Sequence, residues 1–314
     1  MQPSVRIARR IRLHDLHVLM TVVQAGSMNK AAKLLNTTQP AVSKTIAELE
    51  HTVGVRLLDR HRQGVEPTRY GRVLLDGGVA VFDDLRQTLQ NIAFLDDPAA
   101  GNIRIGCSPS LAASFVSAVI DRVSRLFPRV TFELVPAPGE IVLPDLHERK
   151  LDLLITRKLG PIPDEKLSFE FLLDDPLLVV AGRRHPLTRR RKVTMDQLVG
   201  ASWLLPPSDN LMGSAIKESV RASGVDLPRA TVVTVSTDAR MRLLATGRFV
   251  AVLPASALQF SAKQSDVVAL PVAMSMAAVP VGIITLKTRR LSPVAQLFID
   301  EAREVAKPLA KKKR

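Results

Sequence analysis

LHDLHVLMTVVQAGSMNKAAKLLNTTQPAVSKTIAELEHTVGVRLLDRHRQGVEPTRYG, residues 13–71, holds three helix-period segments with short breaks, followed by a basic hairpin. Leu16, Leu19, Met20 and Val23 recur at offsets of three and four, the mark of a helix with one buried stripe. Gly26 ends that helix, and Ser27 is placed to cap the next, at 28–35, where Ala31 and Ala32 are small enough for another helix to cross closely. Asn36, Thr37 and Thr38 make a polar turn, with Thr38 as the cap of a third helix. In that helix Val42, Ile46, Leu49 and Val53 share one face, while Gln39, Ser43 and Ala47 share another with Lys44 beside them.

A face offering an amide, a hydroxyl and a cation suits a DNA major groove. Gln pairs with adenine, Lys with guanine edges, and Ser reaches bases or phosphates. Gly54 stops the helix, and Arg56, Arg60, His61 and Arg62 follow in a segment that turns at Gln63 and Gly64. It reads as a wing whose cations touch phosphates or the minor groove. Charge agrees: residues 1–72 hold twelve Lys or Arg against five Asp or Glu, a surplus of +7 out of +14 for the 314-residue chain. A positive field concentrated at the helix-turn-helix is expected of a protein that binds a polyanion with salt-sensitive affinity.

The order Ser27, Ala31, Ala32, then Gln39, Pro40, Ala41, Val42, Ser43, then Ile46, Leu49, Glu50, Gly54, Leu57, Arg60, and finally Thr68 and Gly71, resembles the N-terminal domain of LysR-type transcriptional regulators. Leu58 and Tyr70 depart from that pattern, both at apolar packing positions. The resemblance implies a multidomain chain: an all-α winged helix-turn-helix DNA-binding domain (1–68), a linker helix for dimerisation (69–97), and an α/β two-lobed, periplasmic-binding-protein-like effector domain (98–314). Its first lobe covers about 101–175 and 276–310, its second about 176–275. Expected partners are double-stranded promoter DNA, a small-molecule effector, a homodimer or homotetramer, and RNA polymerase, with no membrane, metal or cofactor. The residues expected at DNA are Ser27, Thr37, Thr38, Gln39, Pro40, Ser43, Lys44, Arg60 and Arg62.

Beyond the head, Thr68 caps a predicted helix at 69–95 with an apolar seam of Leu74, Val81, Leu85, Leu89 and Ile92. Such a seam needs a partner: the same helix of a second subunit, or the chain's own C-terminal domain. Gly77 and Gly78 weaken this helix and mark a bend or a close approach. Asp96, Asp97, Pro98 and Gly101 break the chain and place the hinge. Strands are then expected at 103–107, 131–135, 153–155, 177–181, 203–205, 231–235, 249–253 and 281–286. Helices are expected at 111–127, 143–150, 195–199, 212–223, 238–246 and 293–307. That alternation predicts a largely parallel sheet covered on both faces.

Ligands of open α/β sheets bind beyond the carboxyl ends of strands, where helix starts present free N–H groups. Two turns qualify: Ser108, Pro109, Ser110 after the first strand, and Ser236, Thr237 after Val235. Singly their hydroxyls are ordinary helix caps. Together, at matching places in two lobes, they are candidate effector contacts, with Gly139 and Ser208. Arg157 reads either as the bidentate partner of an effector carboxylate or as a solvated loop arginine. Trp203, the single tryptophan, reads as core rather than as a ligand platform. The expected effector is anionic or sugar-like.

Other classes find less support. His14 and His17 lack further ligands for a metal set, Ser27 to Lys30 places a Ser-x-x-Lys inside the helix-turn-helix, and no P-loop or dinucleotide fingerprint occurs. An enzyme is therefore not expected, nor is a metabolic enzyme with a fused DNA-binding head. Cys107, the one cysteine, reads as inert core and permits no intramolecular disulfide. No apolar run reaches the ~18 residues of a membrane span, and the basic N-terminal segment lacks a secretory h-region, so the expected location is cytoplasmic. The basic clusters 189–192 and 311–314 read as solvated loop and tail. The rival reading is a solute-binding protein of periplasmic-binding-protein fold without a transcriptional role, which the basic head and the missing export signal oppose.

Overall fold

The computed structural model describes residues 7–61, 64–162, 164–222, 224, 226, 228–260, 266–272 and 278–310, so Arg62, Gln63 and the tail cluster 311–314 lie outside the described residues. The chain divides into two compact units, Met1–Thr88 and Leu89–Arg314.

In the first unit, α1 (Leu13–Ala25), α2 (Met28–Leu34) and α3 (Gln39–Val53) precede a hairpin of β1 (Leu58–His61) and β2 (Gly64–Pro67) and the long α4 (Arg69–Asp96). Gly26 and Gly54 end α1 and α3 in the left-handed conformation, at φ 64° and 82°, where a side chain would be strained. The core joins Val18, Leu19 and Val22 of α1 to Ala31 and Ala32 of α2 and Val42, Ile46 and Leu49 of α3. The buried stripe of α1 is thus centred on Val18 and Val22, with Met20 and Val23 only half-buried. Ser27 stands at the N-cap position of α2, but its side chain accepts no cap hydrogen bond, contrary to the capping role expected of it. Thr38 does cap α3, its Oγ1 accepting from the Ala41 N–H at 3.4 Å.

α4 runs unbroken through both glycines. Gly78 is the close approach: a Cβ there would lie 3.5 Å from Met20 Sδ and 3.9 Å from Leu16. Leu74 packs on the core of the first unit, so it does not belong to the outward seam. Val81, Leu85, Leu89 and Ile92 are exposed.

The second unit holds two lobes that share one mixed sheet of order β4-β3-β5-β11-β6-β9-β7-β8, with β10 on β6. These strands are β3 (Ala100–Cys107), β4 (Arg129–Pro136), β5 (Leu153–Arg157), β6 (Leu167–Gly182), β7 (Ser202–Leu205), β8 (Ala230–Val233), β9 (Phe249–Pro254), β10 (Val267–Ala269) and β11 (Ala278–Leu286). The largely parallel sheet expected from the alternation is corrected here. β3 pairs in parallel with β4 and β5, and β7 with β8 and β9, but β6 is antiparallel to β9, β10 and β11, and β11 to β5. The reason is that β6 and β11 are the crossings between lobes and run side by side in opposite directions. The first half of β6 pairs with β11 and the second half with β9.

Residues 109–126 form a continuous helical run that begins at Pro109, passes through a π-helical turn at Ala112–Val116 and ends in α5 (Ser117–Leu126). The remaining helices are α6 (Gly139–His147), α7 (Met195–Val199), α8 (Leu211–Ala222), α9 (Thr237–Ala245), α10 (Ala255–Gln259) and α11 (Pro293–Ala310). α6 starts four residues before the expected helix at 143–150 and carries Pro144 within it. One face of the first lobe packs Ile103, Ile105 and Ile155 on Phe115 and on Phe298 of α11. Its other face packs Leu154 and Ile284 on Val142 and Leu146 of α6. Trp203 is fully buried in the second lobe, its Nε1 donating to Leu198 O at 2.8 Å, as a core residue does. Cys107 is buried, which pushes its thiol up to about 12 and keeps it protonated. Among the described residues no helix is long and apolar enough to cross a membrane, and no cluster of side chains is arranged to hold a metal ion.

Candidate functional site

Two regions carry the chemistry, one in each unit. In the first, burial of Val42, Ile46 and Leu49 turns the opposite side of α3 outward. Gln39, Pro40 and Lys44 are exposed and Ser43 half-exposed, with Thr37 and Thr38 exposed in the preceding turn and Ser27 half-buried at the start of α2. Gln39 Nε2 donates to Ser43 Oγ at 3.3 Å, so the amide and hydroxyl stand side by side on one outward row. Lys44 meets Glu48 only at 3.9 Å with both side chains well exposed, a pair too weak to withhold the lysine from another anion.

The hairpin is held against this helix by a group the sequence reading did not assign. Glu50 accepts the N–H groups of Leu57 (2.7 Å) and Leu58 (3.2 Å), tying α3 to the start of β1. The Val65 N–H donates to Gly26 O at 3.0 Å, and Thr68 Oγ1 donates to Arg56 O at 2.9 Å while accepting from the Gly71 N–H. Arg56 and Arg60 project from this pinned frame and are exposed, and no ion pair of Arg60 occurs among the described residues. Glu50 had a signal in the sequence, its place one turn before Gly54, but its partners lie seven and eight residues on and belong to no local motif.

In the second unit a cleft between the lobes has a volume of about 380 Å³. Ser108, Pro109, Ser110, Gly139 and Arg157 line it together, although they come from two separate turns and a strand end. Ser208 lines a different cavity, with Pro207 and Asp209. Ser236 and Thr237 do not line the cleft. The Ser236 hydroxyl accepts from the Ala239 N–H at 3.2 Å as a helix cap, and Thr237 Oγ1 is buried without a partner among the described residues.

Arg157 is the largest surprise. It ends β5 with its side chain 2% exposed, so the solvated loop arginine is ruled out. Its Nη2 donates to Asp175 Oδ2 at 2.6 Å and to Ser256 Oγ at 3.3 Å, and its Nη1 donates to Ser108 Oγ at 3.2 Å and Ser110 Oγ at 2.9 Å. Asp175 in turn accepts from the Ser256 N–H at 2.9 Å and from the Ser256 hydroxyl at 2.7 Å. Ser108 and Ser110 thus serve an internal guanidinium instead of capping the helix. The network joins β5, the crossing strand β6 and α10, and burial lowers the Arg157 pKa while Asp175 opposes that fall.

A second cleft arginine was missed by sequence reasoning. Arg240, on α9, is 7% exposed and lines the cleft from the second lobe. Burial first, and the charge of Arg157 second, lower its pKa. No hydrogen bond or ion pair of its guanidinium occurs among the described residues, and its Nε is buried without a partner. Nothing in the pattern of α9 distinguishes it from the exposed Arg242 two residues on.

Comparison with known proteins gives two family matches. Residues 13–72 match the profile described as bacterial regulatory helix-turn-helix protein, lysR family, and residues 96–307 match the LysR substrate binding domain. The chain is 28% identical over 304 residues to the uncharacterized HTH-type transcriptional regulator YdcI of Escherichia coli (strain K12), covering 97% of this chain and 99% of the relative. Among solved structures, ArgP from Mycobacterium tuberculosis matches with a TM-score of 0.69 at 22% identity, over 94% of this chain and 97% of that one. Full-length CbnR complexed with its target DNA matches with a TM-score of 0.54 at 18% identity, over 94% of this chain and 100% of that one. At these identities the two structures establish likeness of fold.

Proposed function

The chain belongs to the LysR family of DNA-binding transcriptional regulators, and from that premise we propose that it works as a homodimer or homotetramer on a partly dyad-symmetric promoter site, under the control of a small molecule in the interlobe cleft. The observation that carries this reading is the outward row of Gln39, Ser43 and Lys44, backed by a buried apolar face and flanked by the pinned hairpin. Gln39 and Lys44 read bases, while Ser27, Thr37, Thr38, Pro40, Ser43, Arg60 and Arg62 position the helix through the backbone. RNA polymerase is the partner such a promoter-bound complex would address. A solute-binding role alone leaves residues 13–72, and their match to a DNA-binding family, without purpose.

Genome-wide mapping of bound DNA tests the proposal. It should return a small set of promoters sharing a partly palindromic site, whereas binding spread without regard to promoters or sequence would contradict it. The wing gives a second expectation. Because Arg60 is exposed and unpaired among the described residues, Arg60→Ala should weaken specific and competitor DNA alike and reduce the slope of log affinity against log salt by about one. Titrations at several salt concentrations measure this, and a folded variant with the wild-type slope would remove Arg60 from the interface.

Coupling between the two sites requires that the small molecule prefer one arrangement of the lobes, since equal affinity for both shifts nothing. The Arg157, Asp175 and Ser256 network is placed to transmit such a preference, because it joins the strand end at the cleft to the strand that crosses between lobes.

A further inference from the structure

We infer that the effector of the cleft is a small monocarboxylate with an apolar body, and that Arg240, rather than Arg157, takes its carboxylate. This rests on the reading of the cleft as the regulatory site and names the chemical class that fits it. Three observations and one general principle converge. Arg157 is already neutralised by Asp175, and both of its terminal nitrogens are engaged. Arg240 is also buried, at 7% exposure, borders the same cavity and forms no ion pair among the described residues. An isolated buried charge is strongly unfavourable, so a guanidinium left this way at a cavity wall is completed by an anion that enters. The nearness of Arg157, whose charge acts on Arg240, sharpens that need.

The remaining wall decides the rest of the molecule. Leu143, Leu154, Ile162, Phe169 and Ile284 of the first lobe line the cavity. The hydroxyls of Ser108 and Ser110 already accept from Arg157, and Thr156 and Asn210 are the only other uncharged polar side chains among the described residues of this wall, few for a polyhydroxylated ligand. Glu140 and Lys158 also border the cleft, but both are exposed and opposite in sign, so they add no net buried charge. One uncompensated cation calls for one carboxylate. A cavity of about 380 Å³ lies at the small end of the ~300–1,000 Å³ range of ligand pockets, so the ligand is small. A ligand with its charge on the second lobe and its body on the first touches both, which is what preference for a closed arrangement demands.

Titration calorimetry of the full chain with benzoate, hexanoate, benzamide, hexanamide and gluconate tests this. Both apolar acids should bind at least about tenfold more tightly than their amides and than gluconate. Arg240→Met should abolish the preference for acid over amide, the acids losing more affinity than the amides. Unliganded, that variant should melt no lower than wild type, because an unpaired buried charge is lost. Arg240→Lys should keep part of the preference. The inference is overturned if wild type binds amides as tightly as acids, binds gluconate most tightly or binds neither acid, or if folded Arg240→Met keeps the preference. Promoter mapping reports on the regulator reading separately, so loss of acid preference with promoter binding intact overturns this inference alone.

Discussion

Asp175→Ala should destabilise the effector-binding unit by about 3 to 5 kcal/mol, the usual consequence of removing one partner from a buried ion pair. The side chains of Arg157 and Asp175 are 2% and 1% exposed, so the loss of the carboxylate leaves a buried guanidinium without its counter-charge. The same change leaves the Ser256 N–H and hydroxyl without their acceptor. Urea unfolding followed by the fluorescence of Trp203, the single tryptophan and a fully buried one, measures the shift. Asp175→Ala combined with Arg157→Met should recover much of the loss, since the charge needing compensation is then gone as well. A single variant that unfolds at the wild-type midpoint would show that the network carries no stability.

A large effect is also expected at the linker. Leu85 and Leu89 are 42% and 59% exposed on α4, and Val81 and Ile92 extend the same apolar exposure along it. Contiguous apolar surface on a helix is expected to be covered, and a second copy of α4 is the partner proposed here. Leu85→Glu or Leu89→Glu would put an unpaired carboxylate into that pair, a penalty of roughly several kcal/mol that outweighs a modest helix interface. Sedimentation should show the variants dissociating under conditions where wild type is dimeric or larger. If both keep the wild-type mass, the subunits meet through another surface.

The helix-turn-helix was legible because each of its boundaries has a local cause. Gly26 and Gly54 stop helices through their backbone freedom, Thr38 starts one through its hydroxyl, and Val42, Ile46 and Leu49 show the helical period directly. The first half of β6 was not legible for the opposite reason. Asp174, Asp175 and Pro176 argue against a central strand by composition, yet this is where β6 crosses between lobes and pairs with Val279 and Ala278. The acidic residue belongs there because it answers Arg157, eighteen residues earlier in the chain. Ser256 completes that network from eighty-one residues further on, a distance no spacing rule spans.

The cleft divides along the same line. Ser108, Pro109, Ser110 and Gly139 could be placed from the rule that ligands gather at strand ends, and they do border one cavity. The rule says nothing about which hydroxyl is free, and the structure gives those of Ser108 and Ser110 to Arg157. It also offers no means to single out Arg240, which is buried at the cleft wall while Arg242, two residues on, is exposed. The second-lobe serine at 236 met the same limit, since its capping of α9 satisfies it locally.

The central claim is that α3 reads promoter sequence through Gln39 and Lys44. It is tested most directly by measuring the affinity of full-length wild type, Gln39→Ala and Lys44→Ala for a mapped promoter fragment and for a scrambled fragment at one salt concentration. Each variant should lose about 1 to 3 kcal/mol on the promoter fragment and little for Gln39→Ala on the scrambled one, narrowing the gap between the two. Wild-type affinity and discrimination in both variants would contradict the claim and place base readout on another element.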